Sequence, residues 1–290
     1  MLPTDYLASH VLAFVLLAGL LGLVIGSFLN VVIHRLPKMM ARDWRQQAQE
    51  ILELKEESQP EPTYNLILPH SHCPHCNAEI KAWQNIPVLS YLFLRGRCGN
   101  CKARISPRYP LVELLTAALS MVVAWQFGFG WAAGAMLLLT WGLIVLSLID
   151  ADTQLLPDDI VLPLLWLGLI VNSVGLFTDL NTALWGAVAG YLALWTVYWV
   201  FKLITGKEGM GYGDFKLLAM LGAWGGWQIL PLTILLSSLV GAVLGIIILK
   251  SRGDSNATPL PFGPYLAIAG WIALIWGDTI TGTYLKFAGF

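Results

Sequence analysis

Charge is what this chain has least of. Only 12% of its 290 residues are Asp, Glu, Lys or Arg, against 57% that are hydrophobic, and the formal net charge is −1. That balance excludes a soluble globule of ordinary make-up, in which about a quarter of residues are charged. It also leaves no electrostatic handle for a nucleic acid or an acidic partner, so neither is expected. Cysteine is scarce as well, with four residues in all, grouped in one polar stretch. No Lys or Arg precedes the first apolar run, whereas Asp5 does. A cleavable secretory signal wants the reverse, so the first segment is expected to be retained. No strand leads into a glycine-rich turn and helix, and a Rossmann-type nucleotide site is therefore not expected.

Bilayer-length apolar runs are abundant. About 20 apolar residues cross a hydrocarbon core, and runs at 11–33, 111–127, 131–149, 160–177, 183–204, 215–227, 229–249 and 263–284 predict eight transmembrane helices. The fold class is an all-α polytopic membrane protein in contact with lipid. Spaced glycine pairs, Gly22 with Gly26, Gly186 with Gly190, Gly222 with Gly226 and Gly241 with Gly245, predict helices packed backbone to backbone. Glu113, near the start of the second run, is read as an acid suited to the helix N-terminal dipole, with an intramembrane acid facing a cavity as the alternative.

Three regions follow: a first membrane helix at 1–33, a polar and basic domain at 34–110, and a seven-helix membrane domain at 111–290. The polar domain opens with Met40, Trp44, Ala48, Ile51 and Leu52 at helical spacing, which predicts an amphipathic helix ended by Pro60 and Pro62. Its Glu50, Glu53, Glu56, Glu57 and Glu61 read as a solvated face.

All four cysteines lie in this domain, as Cys73-Pro-His-Cys76 and Cys98-Gly-Asn-Cys101. Two C-x-x-C pairs some twenty residues apart have the spacing of a tetrahedral zinc site built from two tight knuckles. One pair alone would leave a redox dithiol or a disulfide open; the second pair favours zinc. Four thiolates leave no open coordination position, so the expected role is structural. Arg95, Arg97, Lys102 and Arg104 would offset the site's negative charge, and His70, His72 and His75 read as solvated loop residues, with substitute metal ligands as their alternative reading.

With eight helices and the polar domain in the cytoplasm, every Lys and Arg except Lys286 falls on the cytoplasmic side, as the positive-inside rule requires. Both termini then face outward. The same topology places Asp150, at the end of one helix, and Asp214, at the start of another, at the same depth on the cytoplasmic edge. Asp214 closes Gly209-Met-Gly-Tyr-Gly-Asp214, glycine-rich backbone that can approach its neighbours closely. An N-cap is the plain reading of Asp214, as it is of Asp158 or Asp159. Asp150 has no such reading, because an acid is unfavourable at a helix C-terminus.

Two carboxylates at one depth suit paired acid and base chemistry, the arrangement of aspartyl proteolysis. Helix polarity would assign the ionised form to Asp214 and the proton to Asp150. The leading alternative is an ion- or proton-coupled transporter using the same two acids. A structural zinc scaffold without chemistry is a third reading.

Taken together, Gly26-Ser-Phe-Leu-Asn-Val31 with Arg35 and Pro37, the two cysteine pairs, Arg108-Tyr-Pro-Leu-Val-Glu113, Asp150 with Pro157-Asp158, and Gly211-Tyr-Gly-Asp214 resemble the bacterial type IV prepilin peptidases over essentially the whole chain. The resemblance implies a bifunctional enzyme of the bacterial inner membrane. It would cleave the basic leader of type IV prepilins and type II secretion pseudopilins after a glycine, then methylate the new N-terminal amine from S-adenosylmethionine. Asp150 and Asp214 match the family's catalytic pair. Methylation would lie near the cytoplasmic domain, with Asn30, Arg35 and Gly96 as the candidate residues. Their plain alternatives are interfacial anchors for the first two and a turn residue for Gly96.

Overall fold

A computed structural model describes residues 7–53, 63–252 and 261–288. Asp5, Glu56, Glu57, Pro60, Glu61 and Pro62 lie outside the described residues. The chain divides into two units at residues 129 and 130. Among the described residues there is no sheet, and two isolated antiparallel bridges supply the only extended pairing.

The first unit contains α1 (Val11–Ile51), a 3-10 turn (Ala82–Asn85), the short α2 (Leu89–Phe93) and α3 (Arg108–Phe127). One helix covers both the expected membrane run at 11–33 and the expected amphipathic helix beyond it. The sequence reads a break at residue 33, but α1 passes through Pro37. Proline removes a single intrahelical hydrogen bond, and the Met39, Met40, Ala41 and Arg42 that follow contain no glycine or cap to stop the helix. α1 packs on α3 through the predicted glycine face. A Cβ at Gly22 would lie 2.7 Å from Ala117 Cα, and one at Gly26 2.7 Å from Glu113 Cα.

The second unit contains α4 (Trp131–Thr153), α5 (Asp158–Ser173), α6 (Leu180–Thr205), α7 (Tyr212–Gly225), α8 (Leu230–Arg252) and α9 (Gly263–Ala288). Among the described residues six helices are long and apolar enough to cross a membrane: α1, α3, α4, α6, α9 and the run Trp227–Leu244 entering α8. α5 and α7, with 16 and 14 residues, complete the expected eight but are short. At 1.5 Å per residue they reach only about 21–24 Å, against a core of about 30 Å.

Beyond Lys216, α7 is apolar on all sides and enclosed by protein. Phe215, Leu217, Leu218, Met220, Leu221, Ala223 and Trp224 are all buried, as expected of a helix at the centre of a bundle. The α6–α7 contact uses two predicted glycine pairs: a Cβ on Gly186 or Gly222 would strike the other's carbonyl oxygen, and one on Gly190 would lie 2.6 Å from Leu218 O. At the far end of α7, Asn172 of α5 donates to Ala223 O and Trp224 O, both at 2.9 Å, and accepts from the Phe177 and Thr178 N–H groups. Trp224 Nε1 donates to Leu164 O at 2.8 Å. These bonds clamp α7 to α5 where backbone groups at the helix ends need partners.

Candidate active site and metal centre

Asp214 reaches its position through glycine. Gly211 is the N-cap of α7, so Asp214 stands third in the helix and is not the cap itself. Its carboxylate accepts from the Gly211 N–H, as the third residue of a capping box does. Gly213 packs its Cα face on Leu156, where a Cβ would lie 2.8 Å from Leu156 Cβ.

Asp150 sits in the last turn of α4, which runs four residues further than expected, to Thr153. Its carboxylate accepts the Gly263 N–H at 3.0 Å, from the first residue of α9. The expectation that Asp150 has no capping role is therefore corrected: it caps another helix, 113 positions away. The side chain of Leu156 packs on both Gly263 and Gly213, so one leucine spans the starts of α9 and α7.

The two acids come together. Asp150 and Asp214 are 5% and 6% exposed, and the charge of Asp150 acts directly on Asp214. Each carboxylate faces the N-terminus of a helix and accepts from its backbone. Helix polarity no longer separates them, because the C-terminal disadvantage of Asp150 in α4 is opposed by the N-terminus of α9. Beside them Lys216 Nζ bonds both oxygens of Asp158 at 2.8 and 2.7 Å, tying the start of α5 to α7. Asp158 is thus a first-turn ion-pair partner, with Pro157 as the N-cap. Sequence reasoning missed Gly263. The only trace of it was the Pro261-Phe-Gly-Pro264 stretch, which marks a helix start without indicating a partner.

In the first unit the four cysteines converge, with all four Sγ atoms within 4.8 Å of one another. Cys73 and Cys101 Sγ are 3.8 Å apart, and sulfurs held at about 2.3 Å by one tetrahedral zinc stand about 3.8 Å apart. The knuckles repeat each other. Cys73 N–H bonds Ala78 O and Cys98 N–H bonds Ala103 O, with Asn77 and Lys102 at φ 53 and 62 in matching places. Asn100 donates its backbone N–H to Cys98 Sγ and its side-chain amide to Cys76 Sγ. The Cys101 and Asn100 N–H groups hold the Cys98 thiol down to about 6. The Ala78 N–H and the Asn100 amide lower Cys76 as well. Against the pull of the Ala103 N–H, burial and the neighbouring Cys76, Cys98 and Cys73 thiols push Cys101 the other way, up to about 11. Four thiols clustered at this spacing, two of them held low by N–H donors, fit a thiophilic metal.

The three residues considered for methyl transfer are committed to structure. Asn30 Nδ2 donates to Gly26 O and Tyr109 O. Buried Arg35 donates to Asn65 O at 2.9 Å and Pro69 O at 2.7 Å. Gly96, at φ 66, lies against the Tyr91 ring. Glu113 is past the first turn of α3, contrary to its dipole reading. Its carboxylate accepts from Val88 N–H at 2.8 Å and from the Ser27 hydroxyl.

Fold and sites define a polytopic, all-helical membrane protein with a cluster of four cysteines that could hold a metal ion. Residues 20–127 match the Bacterial Peptidase A24 N-terminal domain, and residues 137–246 match the Type IV leader peptidase family. A prepilin leader peptidase/N-methyltransferase of Pseudomonas aeruginosa is 71% identical over 286 residues, which cover 99% of this chain and 98% of that one. The protein of the same description from Stutzerimonas stutzeri is 69% identical over 99% of both chains. That of Neisseria gonorrhoeae is 52% identical over 91% of both. No solved structure matches. The chain belongs to the type IV leader peptidase family, and these comparisons support an enzyme of that family, not a transporter.

Proposed function

We propose that the chain is an intramembrane aspartyl peptidase and N-methyltransferase. It removes the basic leader of type IV prepilins and type II secretion pseudopilins after a glycine, and then methylates the new N-terminal residue with S-adenosylmethionine as donor. The observation that carries this reading is the meeting of two buried acids, Asp150 and Asp214, from helix ends 64 residues apart in sequence. A buried pair of acids in a membrane bundle is costly unless it is used.

The chemistry follows from the pairing. One carboxylate, ionised, takes a proton from water as the oxygen attacks the scissile carbonyl; the other, protonated, donates to the carbonyl oxygen, and a proton finally passes to the leaving amine. The Gly263 and Gly211 N–H groups hold the two carboxylates in place, so water meets oriented acids.

The distribution of Lys and Arg supports an inner-membrane orientation with both termini periplasmic and the acids at the cytoplasmic edge. In this reading 1–33 is the first membrane helix, 34–110 the cytoplasmic domain, and 111–290 the peptidase domain. Cys73, Cys76, Cys98 and Cys101 hold a structural zinc that keeps the cytoplasmic domain folded. Asn30, Arg35 and Gly96 support the methylation side as positioning residues, since their polar groups or surfaces are already engaged by the protein.

The decisive experiment incubates the purified protein with a synthetic prepilin, with and without S-adenosylmethionine, and reads the product mass. Leader loss, with a methyl gain only when the donor is present, is the expected result. An intact substrate together with ion flux in liposomes would replace this reading with transport.

A further inference from the structure

A cavity of about 270 Å³ lies between α8 and the start of α9, lined by Ser238, Gly241, Ala242, Pro261, Phe262 and Tyr265. Its place in the bundle is set by one peptide bond. Phe262 lines the cavity and is joined to Gly263, whose N–H is bonded to Asp150. The Phe262 carbonyl accepts from both Tyr265 N–H and Leu266 N–H at 3.1 Å, so this wall is fixed in the first turn of α9. The opposite wall is made of small residues. Gly241 leaves open the space over Tyr265 and Phe262, and a Cβ there would lie 3.4 Å from Tyr265 Cδ2.

The lining decides what fits. None of the six residues is charged, so a basic leader would find no counter-charge. The volume falls below the roughly 300–1,000 Å³ of pockets that enclose a small molecule such as a methyl donor. Aromatic rings facing small residues suit a bulky apolar side chain, and small residues on α8 allow a second backbone to approach. Ser238 and Ala242 are exposed, so the cavity is open on the α8 side.

We propose that this cavity is a substrate subsite that receives an apolar side chain from the membrane-embedded segment following the scissile bond. The proposal rests on the peptidase reading and adds to it the place where the substrate's apolar part docks. Seating that segment beside Phe262 brings the preceding bond toward the acid held by Gly263.

Two measurements on the full-length enzyme test it. The first uses Gly241→Leu and Ala242→Leu with two prepilins that carry either Leu and Phe or only Ala in the first turns after the scissile bond. Filling the cavity should lower kcat/KM for the bulky substrate about 10-fold or more, while the Ala substrate is cleaved nearly as by the wild type. The second places a photoreactive side chain at Ser238 in the Asp214→Asn background, with Leu239 on the same helix as the control position. Crosslinks should map to the first turns after the scissile bond and exceed those from Leu239. Equal effects on both substrates, crosslinks to the leader, or no excess over Leu239 would overturn the subsite while wild-type cleavage keeps the peptidase reading. If the wild type cleaves neither prepilin, both readings fall.

Discussion

Gly263 donates its backbone N–H to Asp150 Oδ2 across 3.0 Å, joining the first residue of the last helix to an acid in the last turn of α4. The bond fixes the carboxylate and satisfies an N–H that a helix start would otherwise leave open. It is also tight. A Cβ at Gly263 would lie 2.7 Å from the same oxygen. Gly263→Ala should therefore displace the carboxylate and lower kcat about 10- to 100-fold, because small misplacements of a reacting group are costly. Gly282→Ala, with nothing near its added Cβ, should leave cleavage unchanged. A Gly263→Ala enzyme with wild-type kcat would show that the bond does not position the acid.

Asp150→Asn and Asp214→Asn should each reduce cleavage by at least the roughly 10²–10⁴-fold that a positioned acid or base contributes. Both variants should stay folded, since an amide oxygen can still accept from the Gly263 or Gly211 N–H. Prepilin cleavage followed by mass, alongside the melting temperature in detergent, separates chemistry from folding. Asp158→Asn loses only a partly exposed ion pair with Lys216, worth about 1 kcal/mol or less, and should remain active. Either dyad variant cleaving at the wild-type rate would remove that residue from the catalytic pair.

The sequence made the two acids legible because each interrupts an apolar run, and the cysteines legible because their spacing admits few chemistries. The glycine pairs also announced the α1–α3 and α6–α7 contacts. Local rules failed where the partner is remote. Asp150 looked unaccompanied at a helix C-terminus because its donor lies 113 residues later. α1 looked broken near Pro37 because polarity changes there, although helix propensity does not. Asn172, which bonds two carbonyls at the end of α7 and two N–H groups of the loop after α5, was marked only by being a lone amide in an apolar run, and that pattern alone names no partner.

Gly186→Ala should destabilise the protein by about 1–3 kcal/mol, the usual cost of overpacking. Its new methyl would meet the Gly222 carbonyl, with Gly226 C at 2.7 Å and Trp227 N at 2.8 Å. All of these are backbone atoms, so no side chain can swing aside. α7 would have to move, carrying Asp214 with it, and activity should fall together with stability. Gly134→Ala, which meets nothing within 4 Å, serves as the control in thermal unfolding. Equal melting temperatures for the two variants would mean that the α6–α7 contact tolerates a wider spacing.

The cysteine cluster should bind one zinc per chain. The four Sγ atoms are already within 4.8 Å of one another, so little rearrangement is needed to close a tetrahedron around a metal. The surrounding segment has little regular structure of its own: α2, with no buried residue, one 3-10 turn, and the bridges His72 to Glu79 and Arg97 to Arg104, besides the polar ties of Arg35 to Asn65 and Pro69 and of Glu113 to Val88. A polypeptide of that kind depends on its metal for folding energy. Replacing Cys73, Cys76, Cys98 or Cys101 by Ser, or stripping the metal with a chelator, should make residues 63–107 sensitive to protease. Gly96 lies in this segment, and Arg35 bonds its carbonyls at Asn65 and Pro69. Methylation should therefore suffer at least as much as cleavage, whose acids belong to the other unit. Elemental analysis of reduced, active enzyme reads the metal directly, and limited proteolysis reads its consequence. Fully active protein with no metal in it, or a metal-free segment as resistant as the native one, would rule out the structural role assigned to the four thiolates.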